Sequence, residues 1–317
     1  MESETRNIVI GAAAGLAALA GAAAAAAHFV RRYRRRQEIF IKFKTIQGSV
    51  LVYTIRDDDG NLVRVMDVDG AYESATYLDD DMCYELVFDY HRFYNHVFDP
   101  GLPVRSMLML GGGGFAYPKY VVSHHPDIQM DVVEIDPMVI SIAQRYFFLD
   151  RLAEEFDTDL TGKLQVICGD AREYLDAPER RYDAIFNDCF VGRSPVMSLA
   201  SVEGAQAIKR CLEPGGVYMS NVISALEGEK SRFLSSVVRT LGEVFEHVYV
   251  IPGNVVADNM RVGAGEGEAP RDNNVVVATD GPQPYEGVVD FVPLPDAEVF
   301  HDDLGQMYER LFRVEDE

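Results

Sequence analysis

Between residues 105 and 136, RSMLMLGGGGFAYPKYVVSHHPDIQMDVVEID, an apolar run at 107–110 gives way to four glycines, Gly111 to Gly114. A helix-like segment opened by Pro118 follows, and a second apolar run is closed by Glu134 and Asp136. The pattern predicts strand, tight turn, helix and strand. It continues downstream with a helix over 138–148, a strand over 164–167, a short helix over 172–175 and a strand over 182–186. A helix over 198–212, ended by EPGG at 213–216, then leads to a strand over 217–223. Strands alternating with helices imply parallel crossovers, so ligands should collect at the carboxyl ends of the strands. Those ends hold Gly111 to Gly114, Glu134, Asp170, Asp188 and Asn221.

The flanks differ. Residues 8–30 are 23 consecutive residues without Asp, Glu, Lys or Arg, followed at once by RRYRRR at 31–36. A hydrocarbon core of ~30 Å needs about 20 such residues in a helix. The segment therefore predicts a single-pass membrane anchor, although its twelve alanines and few leucines make it a weak one. A secretory signal would carry its positive charge before the apolar run. Here the arginines come after it, which places the rest of the chain in the cytoplasm by the positive-inside rule.

Residues 39–77 read as short β-like runs, with DDDGN at 57–61 as a hairpin turn, and predict a small antiparallel sheet. Over 82–97, Leu86, Val87, Tyr90, Phe93, Tyr94 and Val97 recur with a helical period. Near the other end a helix over 229–244 leads to HVYVIP at 247–252, an acidic glycine-rich loop and NNVVVATD at 273–280. Two strands joined without a helix predict antiparallel neighbours. The resulting division is a membrane anchor with basic flank at 1–38, a small β domain at 39–80, a nucleoside-binding domain at 81–290 and a tail with a terminal helix at 291–317.

Composition narrows the chemistry. A formal net charge of −22 over 317 residues excludes nucleic acid as a partner, since phosphates would be repelled, and suits a small cationic ligand. The four cysteines lack a C-x-x-C pair and the seven histidines lack ligand spacing, so neither metal nor disulfide framework is expected.

Glycines at the first strand's exit let the main chain approach a ligand closely, because no Cβ intervenes. Glu134, 23 residues after Gly111, can accept hydrogen bonds from both hydroxyls of a ribose. Gly111, Gly113 and Ala116 also satisfy the loose dinucleotide pattern G-x-G-x-x-A, and a glycine-rich turn with no nucleoside is the plainest alternative. A parallel sheet finished by an antiparallel pair is the pattern of class I S-adenosylmethionine-dependent transferases rather than of dinucleotide folds.

On these residues the chain resembles the spermidine synthase family of polyamine aminopropyltransferases, and within it a spermidine synthase-like branch often attached to membrane segments. TIQGSVLV with Gln47 and VMDVDGAYES resemble the family's S-x-Y-Q strand and L-D-G-x-x-Q-S turn. LMLGGGGF matches the glycine loop, VVEIDP the ribose acid, ICGDAREYL the segment beside the adenine, YDAIFND the strand before the catalytic loop and LEPGG the turn before strand five. The resemblance implies an α/β, Rossmann-like class I transferase fold with a small N-terminal sheet. It implies decarboxylated S-adenosylmethionine or S-adenosylmethionine as co-substrate, a small amine as acceptor and no metal, and it admits a homodimer. Cofactor contacts carry over to Gly111, Gly112, Gly113, Glu134, Asp136, Asp170 and Ala171, and acceptor contacts to Gln47 and Tyr84.

Asp188 is the implied catalytic carboxylate. An amine of pKa ~10 is mostly protonated, so a carboxylate must hold the cation, take its proton and aim the lone pair at the carbon beside the sulfonium. The alternative for Asp188 is to cap the following loop. Three departures bear on catalysis. Val191 stands where the family's D-S-S-D has its second acid, and Gly114 where its glycine loop carries an acid suited to a donor tail without a carboxylate. The tyrosine before the family's helix is replaced near Cys83, with Tyr84 and Glu85 following at once. Three functions stay open: aminopropyl transfer to a diamine such as putrescine, methyl transfer, and a binding module without chemistry.

Overall fold

The computed structural model describes residues 39–46, 48–68, 70–101, 103–178, 180–191, 194–253, 272–281 and 284–302. Strands β1 (Phe40–Thr45), β2 (Gly48–Arg56), β3 (Leu62–Val68) and β4 (Ala71–Tyr77) form an antiparallel sheet in that order. Its β2–β3 hairpin turns where DDDGN predicts: Asp57 accepts from the Asn61 amide at 2.7 Å and from its side chain at 2.9 Å, and Gly60 takes φ +85°. The β3–β4 ladder slips. Met66 faces Ser74 and Asp67 faces Tyr72, so Glu73 is the extra residue of a β-bulge.

The main sheet has seven strands: β5 (Ser106–Leu110), β6 (Gln129–Glu134), β7 (Leu164–Cys168), β8 (Tyr182–Asn187), β11 (Leu212–Ser224), β12 (His247–Pro252) and β13 (Asp272–Thr279). Their order is β12-β13-β11-β8-β5-β6-β7, with β13 antiparallel to both of its neighbours. β9 (Phe190–Val191) and β10 (Ser194–Pro195) form a short ribbon just beyond β8. The period of two along β5 sends Met107 and Met109 to one core cluster and Leu108 and Leu110 to the other. A strand buried on both faces reads as a continuous apolar run, which is why LMLG and its like were legible.

Helices α2 (Ala116–His124), α3 (Pro137–Tyr146), α6 (Ala171–Asp176), α8 (Val202–Cys211) and α9 (Arg232–Gly242) cover the sheet. Two more, α4 (Leu149–Glu155) and α5 (Thr158–Thr161), fill the stretch before β7 that sequence pattern left open.

Three expectations are corrected. The helix read over 82–97 shrinks to α1 (Asp89–Phe93) and a 3-10 turn at Tyr94–Phe98. The Cys83 carbonyl accepts instead from Thr76 Oγ1 at 3.0 Å and Lys119 Nζ at 3.4 Å, so the segment before Asp89 is held by the small sheet and α2. The helix over 198–212 breaks into α7 (Met197–Ala200) and α8, because Ser201 is extended and its hydroxyl caps the Gly204 amide at 3.0 Å.

The third correction concerns the membrane. Among the described residues no helix is long and apolar enough to cross a membrane, and residues 8–30, from which the anchor was read, lie outside them. An alanine-rich run is a weak basis for insertion, and the single-pass and cytoplasm-facing placements are withdrawn. The terminal helix expected near the chain's end likewise falls on residues outside the description, beyond 302.

Candidate functional site

At the exit of β5 the chain bends through glycines that leave no room for side chains. Gly111 takes φ +88° and donates to the Val133 carbonyl at 2.9 Å; a Cβ there would lie 2.6 Å from the Asp188 carbonyl oxygen. The next two amides, Gly112 and Gly113, donate to Glu134 Oε2 at 2.9 and 3.2 Å. Glu134 Oε1 accepts from the Asp136 amide at 2.9 Å. The acid at the tip of β6 thus faces the bend at 8% exposure. Phe115, which connects the bend to α2, is held in the left-handed region at φ +55°, a costly conformation for a bulky residue.

The other acids divide by what they already bind. Asp136, 2% exposed, caps α3 through Met138 N at 2.8 Å and accepts from Ile46 N at 2.5 Å. Its two oxygens tie the start of α3 to the β1–β2 hairpin. Gln47, next on that hairpin, lies outside the described residues. Asp170 caps α6 with one oxygen, Oδ1 accepting from Arg172 N at 2.7 Å and Glu173 N at 3.0 Å. Ala171 opens that helix and packs, partly buried, against the cluster of Leu110 and Ile185.

Asp188 does not cap its loop. Asn187 does, accepting from the Cys189 amide at 3.1 Å. The Asp188 carboxylate, 14% exposed, accepts from Asn221 Nδ2 at 3.0 Å on Oδ1 and from the Tyr90 hydroxyl at 3.4 Å on Oδ2, with His91 Nε2 3.6 Å from Oδ2. Asn221 also donates to Asn273 Oδ1 at 3.0 Å, which fixes its amide across β11 and β13. A cavity of about 20 Å³ lined by Asn187, Cys189, Tyr218 and Asn221 adjoins this cluster, room for one water and not for a nucleoside.

The electrostatics tie these groups together. Burial first, then the Asp188 charge, holds the Tyr90 phenol well above its ordinary value, so it stays a donor. Burial, then Glu134, Asp188 and Asp170, raises the Cys189 thiol well above the usual range. That thiol is no nucleophile, and its response to all three acids marks them as sharing one end of the sheet.

Tyr84 falls elsewhere. Its hydroxyl donates to Glu155 at 2.7 Å and its ring packs on Phe156 at 6.1 Å between centroids. Tyr90 and His91 supply the ring and imidazole that sequence reading assigned to no site. The Tyr-His pair opening α1 was the available signal, but the helical period made Tyr90 a core residue.

The family model for the spermine/spermidine synthase domain matches residues 88–253. The chain belongs to the spermine/spermidine synthase family. It is 29% identical over 169 residues to polyamine aminopropyltransferase 2 of Hyperthermus butylicus, covering 50% of this chain and 52% of that protein. It is 33% identical over 114 residues to spermine synthase of Arabidopsis thaliana, covering 36% of this chain and 30% of that one. The match thus spans about half the length of the first of these relatives and less of the second. A probable spermidine synthase of Corynebacterium glutamicum aligns with TM-score 0.64 at 19% identity, over 83% of this chain and 96% of that one. Spermidine synthase of Thermotoga maritima aligns with TM-score 0.55 at 14% identity, over 86% and 87%. At such identities the structural likeness shows the fold: the family's Rossmann-like sheet preceded by a small antiparallel one.

Proposed function

We propose that the chain is an aminopropyltransferase, moving an aminopropyl group from decarboxylated S-adenosylmethionine to a diamine such as putrescine. The observation that carries this reading is the Asp188 carboxylate, secured by Asn221 and Tyr90 next to the glycine bend that Glu134 faces. Glu134, with each oxygen already accepting from main-chain amides, keeps lone pairs for the ribose hydroxyls. Asp170 Oδ2 is left for the adenine edge by the cap that occupies Oδ1.

The acceptor's ammonium docks on Asp188 and gives up a proton there. The neutral nitrogen then attacks the methylene beside the sulfonium. A carbon–nitrogen bond forms as the carbon–sulfur bond breaks, and sulfur keeps the electron pair as the neutral thioether of methylthioadenosine. Tyr90, held as a phenol, and Asn221 keep the carboxylate aimed.

Methyl transfer from intact S-adenosylmethionine is the second reading, favoured by Gly114. A Cβ there would meet Phe147 Cδ1 at 2.8 Å and Ser74 Cβ at 2.9 Å, so the glycine loop has no room for the acid that suits an amine tail.

Methylthioadenosine release from decarboxylated donor with a panel of diamines tests the proposal. Wild type should release it, and Asp188→Asn should fall by at least about a hundredfold. Calorimetry should show the decarboxylated sulfonium binding more tightly than the intact one. Equal release by both proteins removes Asp188 from this role, and methylation of an amine with intact donor replaces the reading with the second.

A further inference from the structure

Two acids of the family pattern are absent from this chain, at Gly114 and Val191, and one has been gained: Glu73 stands where the family's L-D-G-x-x-Q-S turn carries a neutral glutamine. Its placement follows from the bulge in β4. The extra residue falls where the β3–β4 register shifts, and a bulge re-aims side chains that simple alternation would send to the other face. On one side of it Tyr72 is exposed against Tyr53; on the other, Ser74 is 2% exposed and turned onto the glycine loop, within 2.4 Å of where a Gly114 Cβ would stand. The Glu73 carbonyl lies 3.9 Å from the Cβ position of Gly113. The Glu73 carboxyl oxygen Oε1 is shielded from solvent, and its charge acts on the Tyr90 phenol, which is hydrogen-bonded to Asp188. One buried phenol therefore lies in the field of two carboxylates, one from each sheet.

We propose that Glu73 is the second carboxylate of this site and holds a primary ammonium that Asp188 does not, either the far end of a diamine acceptor or the amine tail of the donor. The inference rests on the aminopropyltransferase reading. It follows from charge: a sulfonium, a donor tail ammonium and the two ammoniums of a diamine bring four positive charges into a partly buried space, and Asp188, Glu134 and Asp170 supply three negative ones. An acid on the bulge supplies a further charge where Ser74 and Phe147 leave the glycine loop no room for one.

Glu73→Gln, the neutral isostere, separates the two ammonium groups. Binding is measured by calorimetry on the full chain with methylthioadenosine, with decarboxylated S-adenosylmethionine, and, in the presence of methylthioadenosine, with 1,4-diaminobutane and 1-aminobutane. If Glu73 holds the acceptor, the variant loses about ten- to a hundredfold for the diamine and nothing for the monoamine. If it holds the donor tail, the same loss appears for the decarboxylated sulfonium and not for methylthioadenosine. Unchanged affinities in the variant overturn the inference, and the aminopropyltransferase reading stands provided that Asp188→Asn still stops release. Loss of methylthioadenosine binding as well makes Glu73 a support of the fold and overturns it too. A wild type that binds neither the decarboxylated sulfonium nor the diamine overturns both.

Discussion

A single methyl group is enough to test the glycine bend. At Gly111 the positive φ and the Asp188 carbonyl 2.6 Å from the Cβ position act together, and neither can relax by turning a side chain. Gly111→Ala should therefore cost about 2 kcal/mol or more of stability and pull the Asp188 loop away from β5. Urea unfolding and methylthioadenosine calorimetry read the two effects; wild-type values in both would mean that the bend does not set the position of Asp188. At this scale the sequence told chemistry more readily than partnership. The placement of Glu134 against the bend was legible, because an acid at the next strand tip meets the bare amides of a glycine turn. Asp136 and Asp188 were not separable by pattern: one caps a helix and holds the Ile46 amide, whereas Asn187 relieves the other of its loop. Tyr84 and Tyr90 are six residues apart in one apolar stretch, and only the folded chain decides which phenol meets Asp188.

Elements were read well where one force dominates and poorly where two compete. Strands buried on both faces announce themselves by continuous apolar runs, and β5, β6 and β8 stand close to where the pattern put them. The segment before α1 has helical periodicity, yet Thr76 and Lys119 take its Cys83 carbonyl, and long-range hydrogen bonds outweigh local preference. The break at Ser201 has a similar cause, since its hydroxyl both caps Gly204 and donates to Asp302 at 2.6 Å. Ser201→Ala should lower stability by about 1–2 kcal/mol through the lost cap. Methylthioadenosine affinity should stay at the wild-type value, because the Ser201 hydroxyl meets Ser198, Gly204 and Asp302 rather than Glu134, Asp170 or Asp188. A urea midpoint equal to wild type would show that the Val202–Phe300 backbone bond at 2.8 Å and the Asp302 amide on Glu203 at 3.0 Å hold that helix start unaided.

For the whole molecule the informative group is Lys119, which joins the two sheets. At 1% exposure it donates to Phe147 O at 2.5 Å, Thr76 Oγ1 at 3.1 Å and Cys83 O at 3.4 Å, and burial lowers it from 10.5 to about 7. Below about pH 7 both folded and unfolded chains carry its proton, and the cost of burying the charge is fully present. Between about 7 and 10.5 the unfolded chain binds more protons than the folded one, so stability rises with pH, by on the order of 1 kcal/mol per unit at most. Unfolding free energies of wild type and Lys119→Met, compared from pH 6.5 to 9.5, should diverge in that direction; a constant difference would mean that the ammonium stays charged among its three oxygens. No composition rule could have found this lysine, since residues of its type are almost never fully buried. The Glu134 carboxylate has a consequence for affinity as well. Its oxygens are engaged by Gly112, Gly113 and Asp136 amides before any ligand arrives, so the entropy of shaping the bend is spent at folding and not at association. On the proposed ribose contact, a deoxyribose analogue forfeits one hydrogen bond without stranding a naked anion, and discrimination against missing sugar hydroxyls should stay shallow.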